Sequence, residues 1–266
     1  MRYVKPEVFL IAEPNLDTGV IAEYLDAVGG ETWIDRMEPL VDRGEVSHSE
    51  ALIEFAGKLC YRAWAPELNA NVKRVRDDNA AYLANIVQSL HGSVTEHAQY
   101  TFIFHNVSRV FTHELVRHRA GTAFSQESMR YVRLTDIPFW MPEWAHNDRE
   151  FMDRAESLLG QMEEFQVWMA DHFHLDDDGV PFSEKKAKTS FMRRFAPDGV
   201  ATGIVFSANV RALRHILQLR TDLSAEEEIR LVFDEVGHIM KAKLPSMFAD
   251  FNRDDDGQWI PEHRKI

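Results

Sequence analysis

The sequence predicts an α+β fold in which helices pack on a small, mainly antiparallel sheet. Three observations lead there. Strand-like runs of apolar, β-branched or aromatic residues are few and short, at 8–12, 99–104 and 200–207. Most of the remaining chain carries apolar residues at helical spacing, and several of these stretches open on a capping residue. No glycine-rich dinucleotide turn follows any strand, so the chain lacks the sequence mark of a nucleotide-binding parallel sheet. One domain over residues 1–251 and a loose polar tail over 252–266 are expected.

In order along the chain, 8–12 is the opening strand, and residues 18–28 form a helix stopped by Gly29-Gly30. Ser47 and Glu50 stand in capping-box spacing ahead of Leu52, Phe55, Ala56, Leu59 and Cys60, which predicts a helix to Tyr61 with a buried stripe. A second helix is expected over 71–90, with Gly92 as its stop. After the strand at 99–104, Ser108 caps a short helix to about Arg117, and 128–134 returns as a strand. Asn147 and Glu150 open a long helix that fades near His172, its Met and Phe stripe read as core. A further helix runs from Ser183 to Phe195. After the strand at 200–207, Asn209 caps a helix to Arg220. Ser224 and Glu227 cap the last long helix, which Pro245 ends.

The whole chain of 266 residues has a formal net charge of −13, which argues against a nucleic-acid polymer as partner. Its cations are nevertheless concentrated. Between 109 and 133 five arginines face only Glu114 and Glu127, and between 191 and 220 five face only Asp198. Two basic islands in an acidic chain suit a pocket for a small anion. The densest donor run is 117–131, Arg-His-Arg-Ala-Gly-Thr-Ala-Phe-Ser-Gln-Glu-Ser-Met-Arg-Tyr. A single cysteine, Cys60, excludes a disulfide within the chain and fits a reducing, cytoplasmic setting. No apolar run is long enough to cross a membrane. His113 and His118 lie five apart, so on a helix their rings would point about 140° away from each other, and no metal site is expected.

These residues carry a resemblance. His91, Ser93, Glu96-His97, Ser108-Arg109, Arg117-His118-Arg119 and 125–131, followed by Arg193, Asn209-Val210-Arg211 and Leu219-Arg220, resemble the flavin-dependent thymidylate synthases. The resemblance implies the thymidylate synthase-complementing-like fold and a homotetramer with active sites at subunit junctions. The implied reaction is reductive methylation of dUMP to dTMP, with FAD as cofactor and NADPH and methylenetetrahydrofolate as co-substrates. By the same resemblance, Glu114, Arg117, Gln126, Glu127, Ser128, Met129, Arg130, Arg193 and Arg220 match positions around dUMP. Cys60, His91, Ser93, Glu96, Arg117, His118, Arg119, Ser125, Gln126, Asn209, Arg211, His215 and Leu219 match positions around FAD. Arg117, Ser128 and Arg220 are the implied catalytic group, with Ser128 hydrogen bonding rather than attacking. A carboxylate at Glu114 beside a phosphate is unwelcome unless it is paired or turned away. One residue more than the family's common spacing separates Arg119 from Ser128, to be taken up either as a bulge in the loop or as a shift in the ligand contacts of Ser125, Gln126 and Glu127. Two other readings stay open: a homologue that binds nucleotide without turnover, and a flavin-dependent methylase of another pyrimidine.

Overall fold

The computed structural model describes residues 2–130 and 134–264. The chain opens with strands β1 (Arg2–Tyr3) and β2 (Glu7–Ala12), then helices α1 (Thr18–Val28), α2 (Glu31–Asp42), α3 (His48–Tyr61) and α4 (Asn79–Gln88). The middle comprises β3 (Gln99–Ser108), α5 (Arg109–Leu115), β4 (Thr122–Gln126), β5 (Pro138–Phe139), α6 (Glu143–His146), α7 (Arg149–His172) and α8 (Phe182–Met192). The last part is β6 (Ala201–Asn209), α9 (Val210–Arg220), α10 (Glu227–Lys243), β7 (Phe251–Arg253) and β8 (Trp259–Pro261).

The central sheet has the order β2-β3-β6-β4 and is antiparallel throughout. Alternation sends Tyr100, Phe102 and Phe104 of β3 and Ile204, Phe206 and Ala208 of β6 to one face, where all are buried. Register pairs Phe102 with Phe206 and Phe104 with Ile204. Phe111 and Phe233 meet Phe104 edge-on, so α5 and α10 are pinned over the sheet by aromatic contacts. A smaller core holds Leu25, Trp33, Ile34, Met37, Val41 and Trp64 at the N-terminal end.

Several expected elements stand, with caps as read: Ser47 Oγ accepts from Glu50 N–H at 3.1 Å, and Asn209 Oδ1 accepts from Ala212 N–H at 2.9 Å. Others differ. Gly29-Gly30 interrupts the chain for only a step, because α2 follows at once. That helix is held by long-range contacts: Trp33 Nε1 and Arg36 Nη2 donate to the buried Glu54 at 2.8 and 2.6 Å. α4 starts at Asn79 rather than 71, since Asp78 accepts from Ala81 N–H at 2.6 Å and so caps the helix late. β3 runs on to Ser108 across a register shift after Phe104, where Asn106 takes φ +57°. Of the strand predicted at 128–134, the described residues show none: Met129 and Arg130 lie in a turn, Ser128 and Leu134 are in no strand, and 131–133 fall outside the described residues. The strand lies earlier, as β4, where its polar sequence Thr-Ala-Phe-Ser-Gln fits a sheet edge.

Three smaller expectations are corrected. Glu226, not Ser224, caps α10, and Ser224 Oγ instead bonds Asp222 Oδ1 at 2.6 Å. The apolar stripe of α7 is core only in part: Leu159 and Met169 are buried, while Leu158 and Phe165 are exposed. The tail is not loose. β7 and β8 form a hairpin whose Trp259 is buried, its indole N–H bonded to Asp234 Oδ1 at 2.8 Å and its ring seated where a Cβ at Gly237 would collide with it.

Candidate active site

β4 organises the site. It pairs along β6 from Thr122↔Ala208 to Gln126↔Ile204 without a register shift, so the extra residue between Arg119 and Ser128 makes no bulge within the strand. Five residues in extended form separate the strand's two ends by roughly 14 Å. At one end is the Arg-His-Arg segment beside the start of α9, and at the other the 127–130 turn beside the entry to β6.

At the first end, Arg117, His118, Arg119, Gly121, Asn209, Arg211, His215 and Glu96 line a cavity of about 500 Å³. Gly121 closes it. Its φ is +70°, and a Cβ there would sit 2.4 Å from Asn209 Nδ2, so only glycine fits without a shift. The peptides of the two residues also bond, Asn209 N–H to Gly121 O at 3.0 Å. Thr122 Oγ1 donates to His118 O at 2.6 Å and fixes the turn. Arg211 reaches across to Glu96, 2.6 Å from Oε1.

Beneath the cavity rim, Arg220 is held on three sides. Its Nη1 and Nη2 donate to Glu114 Oε2 at 2.7 Å and Glu114 O at 3.0 Å, and its Nε donates to His118 Nε2 at 2.7 Å. The carboxylate at 114 thus has the cation it requires. Burial pulls His118 down to about 4, with the Arg220 and His215 charges acting in the same sense. The imidazole is therefore neutral near pH 7 and serves as an acceptor. His118 and His215 meet edge to face, their rings 6.4 Å apart.

At the second end, Glu127 N–H donates to Gly203 O at 3.0 Å, and Glu127 Oε2 accepts from Thr202 Oγ1 and Gly203 N–H, each at 3.4 Å. Ser128 Oγ accepts from Arg130 N–H at 3.3 Å, the contact of a hydroxyl that shapes a turn. Thr189 Oγ1 donates to Arg130 O at 3.0 Å, tying the turn to α8. Met129 and Arg193 line a second cavity of about 120 Å³. Between the ends, Gln126 Nε2 donates to Thr112 Oγ1 at 3.2 Å, while Ser125 points outward.

Not all expected residues converge. Seven of the residues assigned to FAD line the large cavity: Glu96, Arg117, His118, Arg119, Asn209, Arg211 and His215. Cys60, His91, Ser93 and Leu219 are exposed and do not line it. Cys60 was read as a core position on its helix, yet that end of α3 faces outward together with Leu59 and Tyr61, and Tyr61 stacks on His91 at 6.2 Å. Arg193 and Arg220, both assigned to dUMP, share neither cavity. Ala120, Gly121, Ala212 and Ile216 were missed as lining residues; the Ala-Gly pair after Arg-His-Arg was the signal for the first two.

A profile of the family described as Thymidylate synthase complementing protein matches residues 41–246. The chain belongs to this family. The flavin-dependent thymidylate synthase of Mycobacterium marinum is 34% identical over 206 residues, covering 76% of this chain and 79% of the relative. That of Mycobacterium tuberculosis is 34% identical over 205 residues with the same coverage. Among solved structures, the UMP/dUMP methylase PolB of Streptomyces cacaoi bound with 5-Br UMP aligns with a TM-score of 0.58 at 16% identity, covering 93% of this chain and 94% of that one. Thymidylate Synthase X of Helicobacter pylori, with FAD and dUMP, aligns at 0.53 and 19% identity, covering 76% and 93%. At these identities the structural likeness is one of fold: helices on a small antiparallel sheet.

Proposed function

We propose that this chain is a flavin-dependent thymidylate synthase, converting dUMP to dTMP with FAD as cofactor, methylenetetrahydrofolate as carbon donor and NADPH as reductant. The observation that carries the reading is the cavity of about 500 Å³ in which Arg117, Arg119 and Arg211 gather at the start of α9. Three guanidinium groups beside a helix N-terminus suit the diphosphate of a dinucleotide, and Gly121 lets the turn pack closely against Asn209 at that terminus. The residues present therefore fit FAD. When bound and reduced, the flavin supplies the hydride.

This chain's own residues bind, orient and polarise. Arg220, fixed by Glu114 and by neutral His118, keeps a guanidinium at the cavity edge without conformational searching. With Arg117 it is assigned to stabilise negative charge developing on the pyrimidine ring. Ser128, engaged by a backbone N–H, is assigned to hydrogen bonding of dUMP, and Glu114, Gln126, Glu127, Met129, Arg130 and Arg193 are assigned to positions around the nucleotide.

A homotetramer with shared sites is part of the proposal. It is supported by the two ends of β4 and by Cys60, His91 and Ser93, which lie outside the cavity and are free to serve a neighbouring copy's flavin. Exposed Phe165 and Trp168 on α7 and Phe182 and Phe191 on α8 are apolar surface of the kind that subunit contacts cover. Among the described residues, no helix is long and apolar enough to cross a membrane. The cysteine usage favours the cytoplasm, and we assign a single catalytic domain that takes in the C-terminal hairpin along with 1–251, since Phe251 and Trp259 pack in one core with the sheet.

The test is the visible spectrum of the purified protein with FAD, followed by dTMP formation from dUMP, methylenetetrahydrofolate and NADPH, with UMP as competitor. A flavin band and dUMP-dependent turnover are expected. Binding of dUMP without turnover, or preference for UMP, would replace the proposal.

A further inference from the structure

On the side of α9 away from the sheet, the C-terminal hairpin closes over the helix and leaves a cavity of about 360 Å³. Arg211, Arg214, His215 and Gln218 come from α9, and His263 and Arg264 from the tail. Arg211 and His215 also line the larger cavity assigned to the flavin, so one ridge of α9 serves both spaces.

The pocket is built rather than accidental. Its floor is Arg214, whose side chain is 4% exposed and pairs with Asp250 at 2.8 and 2.9 Å while its guanidinium lies 4.7 Å from the Phe251 ring centre. Asp250 in turn accepts His263 N–H at 3.2 Å, which seats the tail. Of the carboxylates that face this cluster, Glu96 and Asp250 are each engaged by one of its own arginines, and Asp222, which interacts with Arg264, accepts from Ser224 N–H and Oγ. Arg264 brings a third guanidinium to the cavity, and His215 and His263 bring two imidazoles. One polar atom is left over. Arg214 Nε is buried and has no hydrogen-bond partner among the described residues. That atom is sealed from the cavity, but the guanidinium and imidazole groups that line the accessible space are of the kind that takes an anion.

We propose that this cavity is a second anion site, holding the phosphate or carboxylate arm of a co-substrate whose reacting ring lies in the flavin cavity next door. The inference rests on the proposed function. A co-substrate is favoured over the flavin itself because this cavity adjoins the flavin cavity through Arg211 and His215, while its other polar lining residues, Arg214, Gln218, His263 and Arg264, are not among those assigned to FAD. Two co-substrates carry the required chemistry away from their reacting ring: the ribose 2′-phosphate of NADPH and the glutamate chain of a polyglutamylated folate. Arginine forks and imidazoles at one place suit either.

The test uses the full chain, the double variant His263→Ala/Arg264→Ala, and the single variant Gln218→Glu, which inserts an anion without touching the tail. Inorganic pyrophosphate is titrated calorimetrically into protein incubated with FAD and dUMP. Both variants are expected to bind it at least tenfold more weakly than the wild type, with unchanged FAD affinity. In kinetics, KM is expected to rise about tenfold for either NADPH or the polyglutamylated folate. KM for the matching form without the anion, NADH or the monoglutamate, stays constant, as does kcat. Which of the two responds names the arm. Equal pyrophosphate binding by wild type and variants overturns the site. A parallel loss of FAD, or equal KM changes for charged and uncharged forms, overturns its assignment to a co-substrate. A wild-type protein without flavin binding or turnover refutes the proposed function instead, and the pyrophosphate titration reads the pocket independently of that result.

Discussion

Glu228→Gln is expected to stabilise the protein, and to do so only at neutral and alkaline pH. Glu228 on α10 is 1% exposed, and its carboxylate faces Ser108, accepting the backbone N–H at 2.7 Å and bonding the hydroxyl. Burial pushes it from the ordinary 4.5 up to about 7, although the two Ser108 bonds pull the other way. A carboxyl with a raised folded value costs nothing below its unfolded value. The cost grows as pH rises from about 4.5 and is complete above about 7. At about 1.4 kcal/mol per pH unit, that interval corresponds to about 3 kcal/mol. The amide of glutamine carries no charge and keeps an acceptor for Ser108 N–H, while its NH2 reverses the bond to Ser108 Oγ, which donates to the carboxylate in the wild type and must turn to accept in the variant. The variant should therefore gain up to about 3 kcal/mol over wild type between pH 5 and pH 8. Urea unfolding of both proteins at the two pH values measures it. A difference between wild type and variant that is the same at both pH values refutes the reasoning. The same contact matters for the site, since Ser108 caps α5, the helix that leads to Glu114, Arg117 and His118.

Arg193→Ala should weaken dUMP binding by about 1.5–3 kcal/mol, the scale of a charge-assisted hydrogen bond, with FAD retained. Fluorescence titration of both ligands reads this, and equal loss of the two would show Arg193 misassigned. Gly121→Ala should lower stability by about 1–2 kcal/mol and weaken FAD, because the new Cβ meets Asn209 at φ +70°. A variant with wild-type melting temperature and FAD affinity would contradict that. His118, lowered to about 4 chiefly by burial, should show its imidazole NMR titration near that value. Its contribution to stability is untouched above about 6.5 and is lost as pH falls toward 4; a midpoint near 6.5 would remove the neutral acceptor from the site.

What the sequence determined by itself was local. Ser47, Asn209 and the alternating runs of β3 and β6 are readable because a cap or a pleat depends on residues two to four apart. The Arg-His-Arg segment and the Arg211–Arg220 helix were readable for the same reason. α2 and the tail hairpin were not, since each is stabilised by burial against distant elements, through Glu54 in one case and Asp234 in the other. β4 escaped notice because an edge strand needs only one apolar face and can be mostly polar. Only tertiary structure decided the state of the site. Glu114 and Arg220 are 106 residues apart in sequence and 2.7 Å apart in space, and their pairing makes a carboxylate acceptable beside an anion pocket. The His118 proton likewise depends on burial and on a charge from α9, and no spacing along the chain encodes either of them.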